Sequence, residues 1–124
     1  MGRTRPDGAV ALLPLKPVEL EVLLVLHDGE LHGYGMAKAI EARTRGVMRL
    51  EPANLYRQVR RLVDQGLVQE AGRRRSADTG DERRRYFRIT ALGRRVLAAE
   101  AQRLRDLVEA AAARDLIPGL GRTR

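Results

Sequence analysis

Hydrophobic positions along the chain fall into short runs with helical spacing, and one run is sharply two-faced. In EPANLYRQVRRLVDQGLV, residues 51–68, Leu55, Val59, Leu62 and Val63 recur at i, i+4, i+7 and i+8 and make one apolar face. Asn54, Arg57, Arg60 and Arg61 fall on the opposite face. Pro52 is preset for a first helical turn, Glu51 sets a negative charge at the positive end of the helix dipole, and Gly66 stops the helix.

Upstream, KPVELEVLLVLHDGE begins with Pro17 at a first-turn position. Val18, Val22, Leu23, Val25 and Leu26 cover most of a helix circumference, which predicts burial on several sides. A buried strand would also suit EVLLVL, but Pro17 and the Asp28-Gly29 stop favour the helix. In HGYGMAKAIEARTRG, Met36, Ala37 and Ile40 form a narrow apolar face, Lys38, Glu41 and Arg45 point away, and Gly46 suits a C-cap. Downstream, LVQEA and RRYFRIT read as two short strands, with GRRRSADTGDER as the hairpin loop between them. Tyr86 and Phe87 alternate in the second strand, so one of them faces the core. Thr90 is placed to cap a last helix over residues 91–114. In that helix Leu97, Ala101, Leu104, Val108 and Ala111 are spaced 4, 3, 4, 3, a heptad seam that Val96 and Leu107 widen. Helix, helix, helix, strand, strand, helix is the layout of a winged helix-turn-helix: mainly α with a small β-hairpin, followed by one further helix.

Composition adds a partner to this outline. The chain has 124 residues, one domain's worth, and 44% of them are apolar. Aromatic residues make up 3%, so the core is built from Leu, Val, Ile and Ala. Lys+Arg 24 against Asp+Glu 16 gives a formal charge of +8. Such an excess points to an anionic partner, nucleic acid before membrane surface. Lys16 and Lys38 are the only lysines. Arginine suits planar contacts to phosphate and guanine, although a GC-rich coding bias would give the same ratio. The chain has no cysteine, which excludes disulfides, thiol catalysis and Cys-type metal sites. The run VLLVL is far too short to span a bilayer, and no cleavable leader is evident, so a cytoplasmic protein is expected.

The candidate chemistry is nucleic-acid contact. Arg73, Arg74 and Arg75 lie on one arm of the hairpin and Arg83, Arg84 and Arg85 on the other, with Asp78, Asp81 and Glu82 at the tip. Two arginine triplets across one hairpin repel unless an anion lies beside them, and phosphates would position the protein without reading sequence. On the two-faced helix, Asn54, Arg57, Arg60 and Arg61 can reach base edges or phosphates, and Lys38 on the preceding helix joins the set. The bland alternative is a solvated arginine face, with Arg60 and Asp64 pairing at i, i+4. Tyr56, at the edge of the apolar face, suits either core packing or a phosphate contact. His27 and His32 span a helix end and a turn, which suits structural or solvent roles better than a converging metal site. No Ser/His/Asp set, carboxylate pair or phosphate-binding glycine loop occurs, so no catalytic role and no cofactor is indicated.

These segments resemble the PadR family of bacterial transcriptional regulators. HGYGMAKAIE is similar to that family's second-helix motif, PANLYRQVRRLVDQGLV to its recognition-helix signature, and RRRYFRITALGRRVL to its second wing strand running into the last helix. The resemblance covers residues 15–113, with three motifs in the family's order. It departs at Ala53-Asn54, where the family often has Gly-Thr. The resemblance implies a winged-helix repressor that dimerises through its C-terminal helix and binds an inverted-repeat operator in double-stranded DNA. Tyr56 would be the recognition-helix tyrosine, and Arg83, Arg84 and Arg85 the basic wing strand. Leu97, Ala101, Leu104, Leu107, Val108 and Ala111 would then line the homodimer. The expected organisation is a flexible arm over residues 1–14, the winged helix-turn-helix over 15–90, the dimerisation helix over 91–114 and a flexible tail over 115–124. Relatives often respond to small aromatic ligands, but no sequence feature indicates an inducer here, and without Trp a Trp-lined pocket between subunits is not available. Two other readings stay open: a partner- or membrane-surface-binding module using the last helix, and an RNA-binding winged helix. Glu100, Asp106 and Glu109 among its arginines set that helix apart from a basic membrane helix.

Overall fold

The computed structural model describes residues 8–75 and 83–120. Helix α1 (Gly8–Ala11) is followed by α2 (Pro17–His27), β1 (Leu31–His32), α3 (Gly33–Arg43), α4 (Pro52–Asp64), β2 (Val68–Arg75), β3 (Arg83–Ile89) and α5 (Ala91–Ala113). The strands form one antiparallel sheet in the order β1-β3-β2. This is a winged helix-turn-helix with a long C-terminal helix.

Helix α2 is the hub. Its Val22, Leu23, Val25 and Leu26 are buried against Met36 and Ile40 of α3, Leu55, Val59 and Leu62 of α4, Phe87 and Ile89 of β3, and Val96 and Leu97 of α5. A helix surrounded on several sides needs apolar residues around most of its circumference, which is what its sequence supplies. Two carboxylates are buried there as well. Glu19 accepts from the Lys16 backbone N–H at 3.0 Å, and Glu21 pairs with Arg43 of α3, whose Nε donates at 2.7 Å. Charges at this depth persist only with partners.

The entry to α5 is tightly built. Thr90 Oγ1 accepts from Gly93 N at 2.9 Å, as an N-cap does, and donates to Gly66 O at 2.7 Å. A Cβ on Gly93 would lie 2.2 Å from Leu67 O, so the backbones of the α4–β2 turn and the first turn of α5 touch only because residue 93 is glycine.

Three features depart from the reading of the sequence. The arm expected through residue 14 carries the helical turn α1, whose Ala9 is buried on α5. Arg73 to Arg75 lie in β2 rather than in a loop, because the strand continues to pair with β3. Leu31 and His32, read as part of a turn, form β1 and pair with Phe87 and Tyr86.

Glu100 fastens α5 to the N-terminal segment. Its side chain is 1% exposed, and it accepts from Leu15 N at 3.1 Å and from Arg103 Nε at 2.6 Å. The Arg103 guanidinium, helped by the Leu15 N–H, holds this carboxyl below its usual range. Glu100→Ala is expected to cost about 1–3 kcal/mol, because it orphans a buried backbone donor. With its folded pKa depressed, the Glu100 contribution is complete above the ordinary carboxylate range and is lost as pH falls below it, through the depressed folded value. Thermal melts of both proteins between pH 7 and pH 3 check this: the gap should narrow on acidification, and a constant gap contradicts the assignment.

Candidate nucleic-acid interface

The turn between α3 and α4 sets the angle at which α4 leaves the body. Arg45 and Gly46 take left-handed backbone conformations, φ 54° and 80°, and Gly46 N reaches back to Glu41 O at 2.8 Å. Thr44 Oγ1 donates to Ile40 O at 2.8 Å and accepts from Met48 N at 3.0 Å, which turns the chain towards Pro52. From there Leu55, Val59 and Leu62 point into the core, and Ala53, Tyr56, Arg57, Arg60 and Asp64 form an outward stripe at i, i+3, i+4, i+7 and i+11.

The candidate residues on α4 are not equivalent. Arg57 is exposed, and its Nη2 donates to Asn54 Oδ1 at 3.3 Å. Arg60 is exposed in the stripe. Arg61 turns back towards the body, with Nε 3.4 Å from Oε2 of the buried Glu19. Tyr56 lies over the start of α3, where a Cβ on Gly33 would meet its hydroxyl at 2.7 Å. It is 44% exposed and stands where three recesses meet. One of about 330 Å³ opens towards Tyr34, Lys38, Arg49 and Arg84. A second of about 340 Å³ runs along Arg60, Asp64, Glu70 and Arg85. The third, about 400 Å³, is lined by Tyr56 with Arg73, Arg83, Arg84 and Arg85.

That third recess depends on one extra residue. Val68, Gln69 and Glu70 pair with Ile89, Arg88 and Phe87, but Arg73, Arg74 and Arg75 pair with Arg85, Arg84 and Arg83. The three-residue step from Glu70 to Arg73 faces a two-residue step from Phe87 to Arg85, which is a bulge, and Gly72 in it has φ 96°. A one-residue insertion switches the faces of all that follows. Without it Arg73 would lie on the face opposite Arg85; with it the two share the face that carries Phe87, towards α4. Arg74 and Arg84 take the other face. There Arg74 lies 4.0 Å from the Tyr86 ring centroid and Arg84 5.4 Å from that of Tyr34. Lys38 Nζ sits 5.4 Å from the same Tyr34 ring. The side chain of Arg75 and the acidic tip of Asp78, Asp81 and Glu82 lie outside the described residues.

Two carboxylates here have arginine partners that the sequence did not mark. Glu30 bridges the wing, meeting Arg74 Nη2 at 2.5 Å and Arg88 Nη1 at 3.6 Å. Its hydrogen bond from Arg74, with Arg88 nearby, holds it below the usual carboxylate range. Glu70 lies 3.7 Å from Arg85 Nε. These contacts join residues far apart in the chain, and only the local HDGELH spacing was available to mark Glu30. The histidines have structural contacts: His32 Nδ1 accepts from Gly35 N at 3.0 Å and caps α3, and His27 Nδ1 lies 3.2 Å from Arg94 Nη1. Of Tyr86 and Phe87, Phe87 faces the core and Tyr86 lies edge-on to His32.

The six seam positions on α5 also divide. Leu97 packs into the chain's own core, Leu104 and Ala111 are half-buried, and Ala101, Leu107 and Val108 are exposed. No described helix is long and apolar enough to cross a membrane.

The family model described as "Transcriptional regulator PadR-like family" matches residues 22–99. No curated protein sequence matches the chain. Among solved structures, a PadR family transcription regulator from Clostridium difficile R20291 is similar with a TM-score of 0.65 at 20% identity, over 77% of this chain and 95% of that one. A PadR family regulator from Eggerthella lenta gives 0.58 at 28% identity, over 73% and 76%. Bacillus subtilis PadR in complex with operator DNA gives 0.60 at 14% identity, over 81% of this chain and 62% of that one.

Proposed function

Because the chain belongs to the PadR-like family of transcriptional regulators, we propose that it is a cytoplasmic repressor that binds an inverted-repeat operator in double-stranded DNA as a homodimer. In this reading α4 enters the major groove. Arg57 and Arg60 on its outward stripe, with Asn54, reach base edges, and Tyr56 and Lys38 meet the backbone. The wing lies on the flanking phosphates through Arg73, Arg83 and Arg85. The observation that carries the reading is the bulge at Gly72, which gathers Arg73 with Arg83 and Arg85 around one recess beside Tyr56. Like charges so concentrated, next to the outward stripe of α4, suit a polyanion of fixed spacing better than solvent. The fold shared with Bacillus subtilis PadR, solved in complex with operator DNA, supports DNA as the partner.

Two exposed apolar residues of α5, Leu107 and Val108, are the contact we assign to the second protomer. A two-fold dimer sets its half-sites about one helical turn, roughly 34–36 Å, or a multiple apart.

The test titrates duplex DNA carrying the chain's own upstream region, random duplex DNA, duplex RNA and anionic vesicles in one salt series. The expected result is tight binding to the first, weaker and salt-steep binding to the second, and little affinity for the others. Footprinting should show two protected half-sites. Equal affinity for duplex RNA, or a single asymmetric footprint, contradicts the proposal.

A further inference from the structure

Arg74 stands among the wing arginines, yet its surroundings differ from those of its neighbours. Its guanidinium is covered on one side by the Tyr86 ring at 4.0 Å, and its edge is taken by the Glu30 carboxylate at 2.5 Å. Tyr86 is itself fixed edge-on to His32, 5.1 Å away, and His32 is fixed as the cap of α3. Glu30 is held from a second side by Arg88 at 3.6 Å. It is not on the wing but in the turn before β1, so it reaches the wing from the body of the domain. A carboxylate presents two oxygens in the geometry that a phosphodiester presents to arginine. The Glu70–Arg85 pair, at 3.7 Å, is looser, so among the described residues Glu30 is the wing's tightly engaged internal anion.

We propose that Glu30 is an internal stand-in for a DNA phosphate: it holds Arg74 in reserve and so limits how much of the wing's positive charge is offered to the DNA backbone. The inference rests on the DNA-binding reading above. The side chains of Glu30 and Arg74 are 34% and 48% exposed, and ion pairs of that kind are weak and screened by salt. A duplex could draw Arg74 away only by leaving an unpaired carboxylate beside the phosphates, so Glu30 keeps Arg74 in the wild-type complex. That penalty is the same for every sequence, so it lowers the sequence-independent share of binding and leaves the contacts of α4 untouched.

Two predictions set this apart from a plain phosphate contact by Arg74. In the wild-type background Arg74→Ala is expected to leave the slope of log K against log salt nearly unchanged, because Arg74 is already neutralised. Glu30→Gln is expected to tighten binding to operator and random duplex alike, by up to about fivefold, the span of an exposed ion pair. It should also steepen the salt slope by up to roughly 0.9, one added phosphate contact. Adding Arg74→Ala to Glu30→Gln should remove the gain. Asp28→Asn, one exposed acid removed from the same turn, controls for net charge alone.

Binding of all five proteins to both duplexes across a salt series decides the matter. If Glu30→Gln leaves the slope unchanged or weakens binding, Glu30 only buttresses the wing and the inference is wrong. If Asp28→Asn gives the same gain, the effect is bulk charge and the inference is equally wrong. Arg74→Ala flattening the wild-type slope by about 0.9 would make Arg74 an ordinary phosphate contact and overturn it even if Glu30→Gln failed to fold. A wild-type protein that binds no duplex DNA at all removes the function proposed above, and this inference with it.

Discussion

Changing Arg73, Arg83 and Arg85 together to alanine is expected to weaken binding to operator and random duplex DNA by a similar factor. These are three of the four wing arginines that line the recess beside Tyr56 on α4, and they share one face of the hairpin. If each neutralises one phosphate, the salt slope should flatten by roughly 0.9 per contact, up to about 2.7 in all. Extrapolated to ~0.15 M salt, that is a loss on the order of a hundredfold. Fold stability should hardly change, since the three side chains are at the surface and their mutual repulsion is relieved. The choice of residues follows the register of the strands rather than the order of the chain: Arg84 is omitted because it lies on the opposite face, over Tyr34. Arg57→Ala provides the contrast. A side chain that reads a base should lose about 1–3 kcal/mol on the operator and much less on random DNA. Filter binding of both variants to both duplexes at four salt concentrations separates the roles. A triple variant that keeps the wild-type slope would show that the wing arginines are solvated or internally paired.

What could be read in the sequence was local or periodic. The apolar stripe of α4, the proline-started helices, the Thr90 cap and the Gly66 stop each declare themselves within a few residues. The structure has each of them where its pattern predicts. Strand β1 could not be read that way, because two residues have no period; it exists because Phe87 and Tyr86 offer it a free edge of β3. The wing's register could not be read. Gly72 opens the stretch that reads as the hairpin loop, and both its bulge and the arginines that share a face depend on the pairing with β3. The ion pairs were the least legible of all. Glu30 meets Arg74 across 44 positions of sequence, and Arg61 meets Glu19 from a different helix. Helical spacing assigned Arg61 to the outward face, and it does stand near that edge. A buried carboxylate on α2 draws it back, which leaves Arg57 and Arg60 as the arginines of the outward stripe.

The heptad seam of α5 makes the same point and yields the second large effect. A seam read from spacing alone treats Leu97, Leu104 and Val108 as one surface. The first turns of α5, however, lie against the domain, so Leu97 is 8% exposed within the chain, whereas Leu107 is 58% and Val108 40% exposed. A polar residue at 97 would therefore disrupt the fold before it could report on assembly. The informative variant is Leu107→Glu with Val108→Glu. In a two-fold contact both residues occur twice, and burying a Leu or Val side chain contributes about 1.5–3 kcal/mol. Losing four such side chains amounts to at least ~6 kcal/mol, on the order of a 10⁴-fold weaker dimer. The double variant is expected to run as a monomer in light scattering at micromolar concentration. It should keep the wild-type far-UV circular dichroism and show one protected half-site where the parent protein is expected to show two. A double variant that remains dimeric would move the interface away from this part of α5. Exposed Val10 on α1, and Leu116 and Leu120 beyond the end of α5, would then be the next surfaces to substitute.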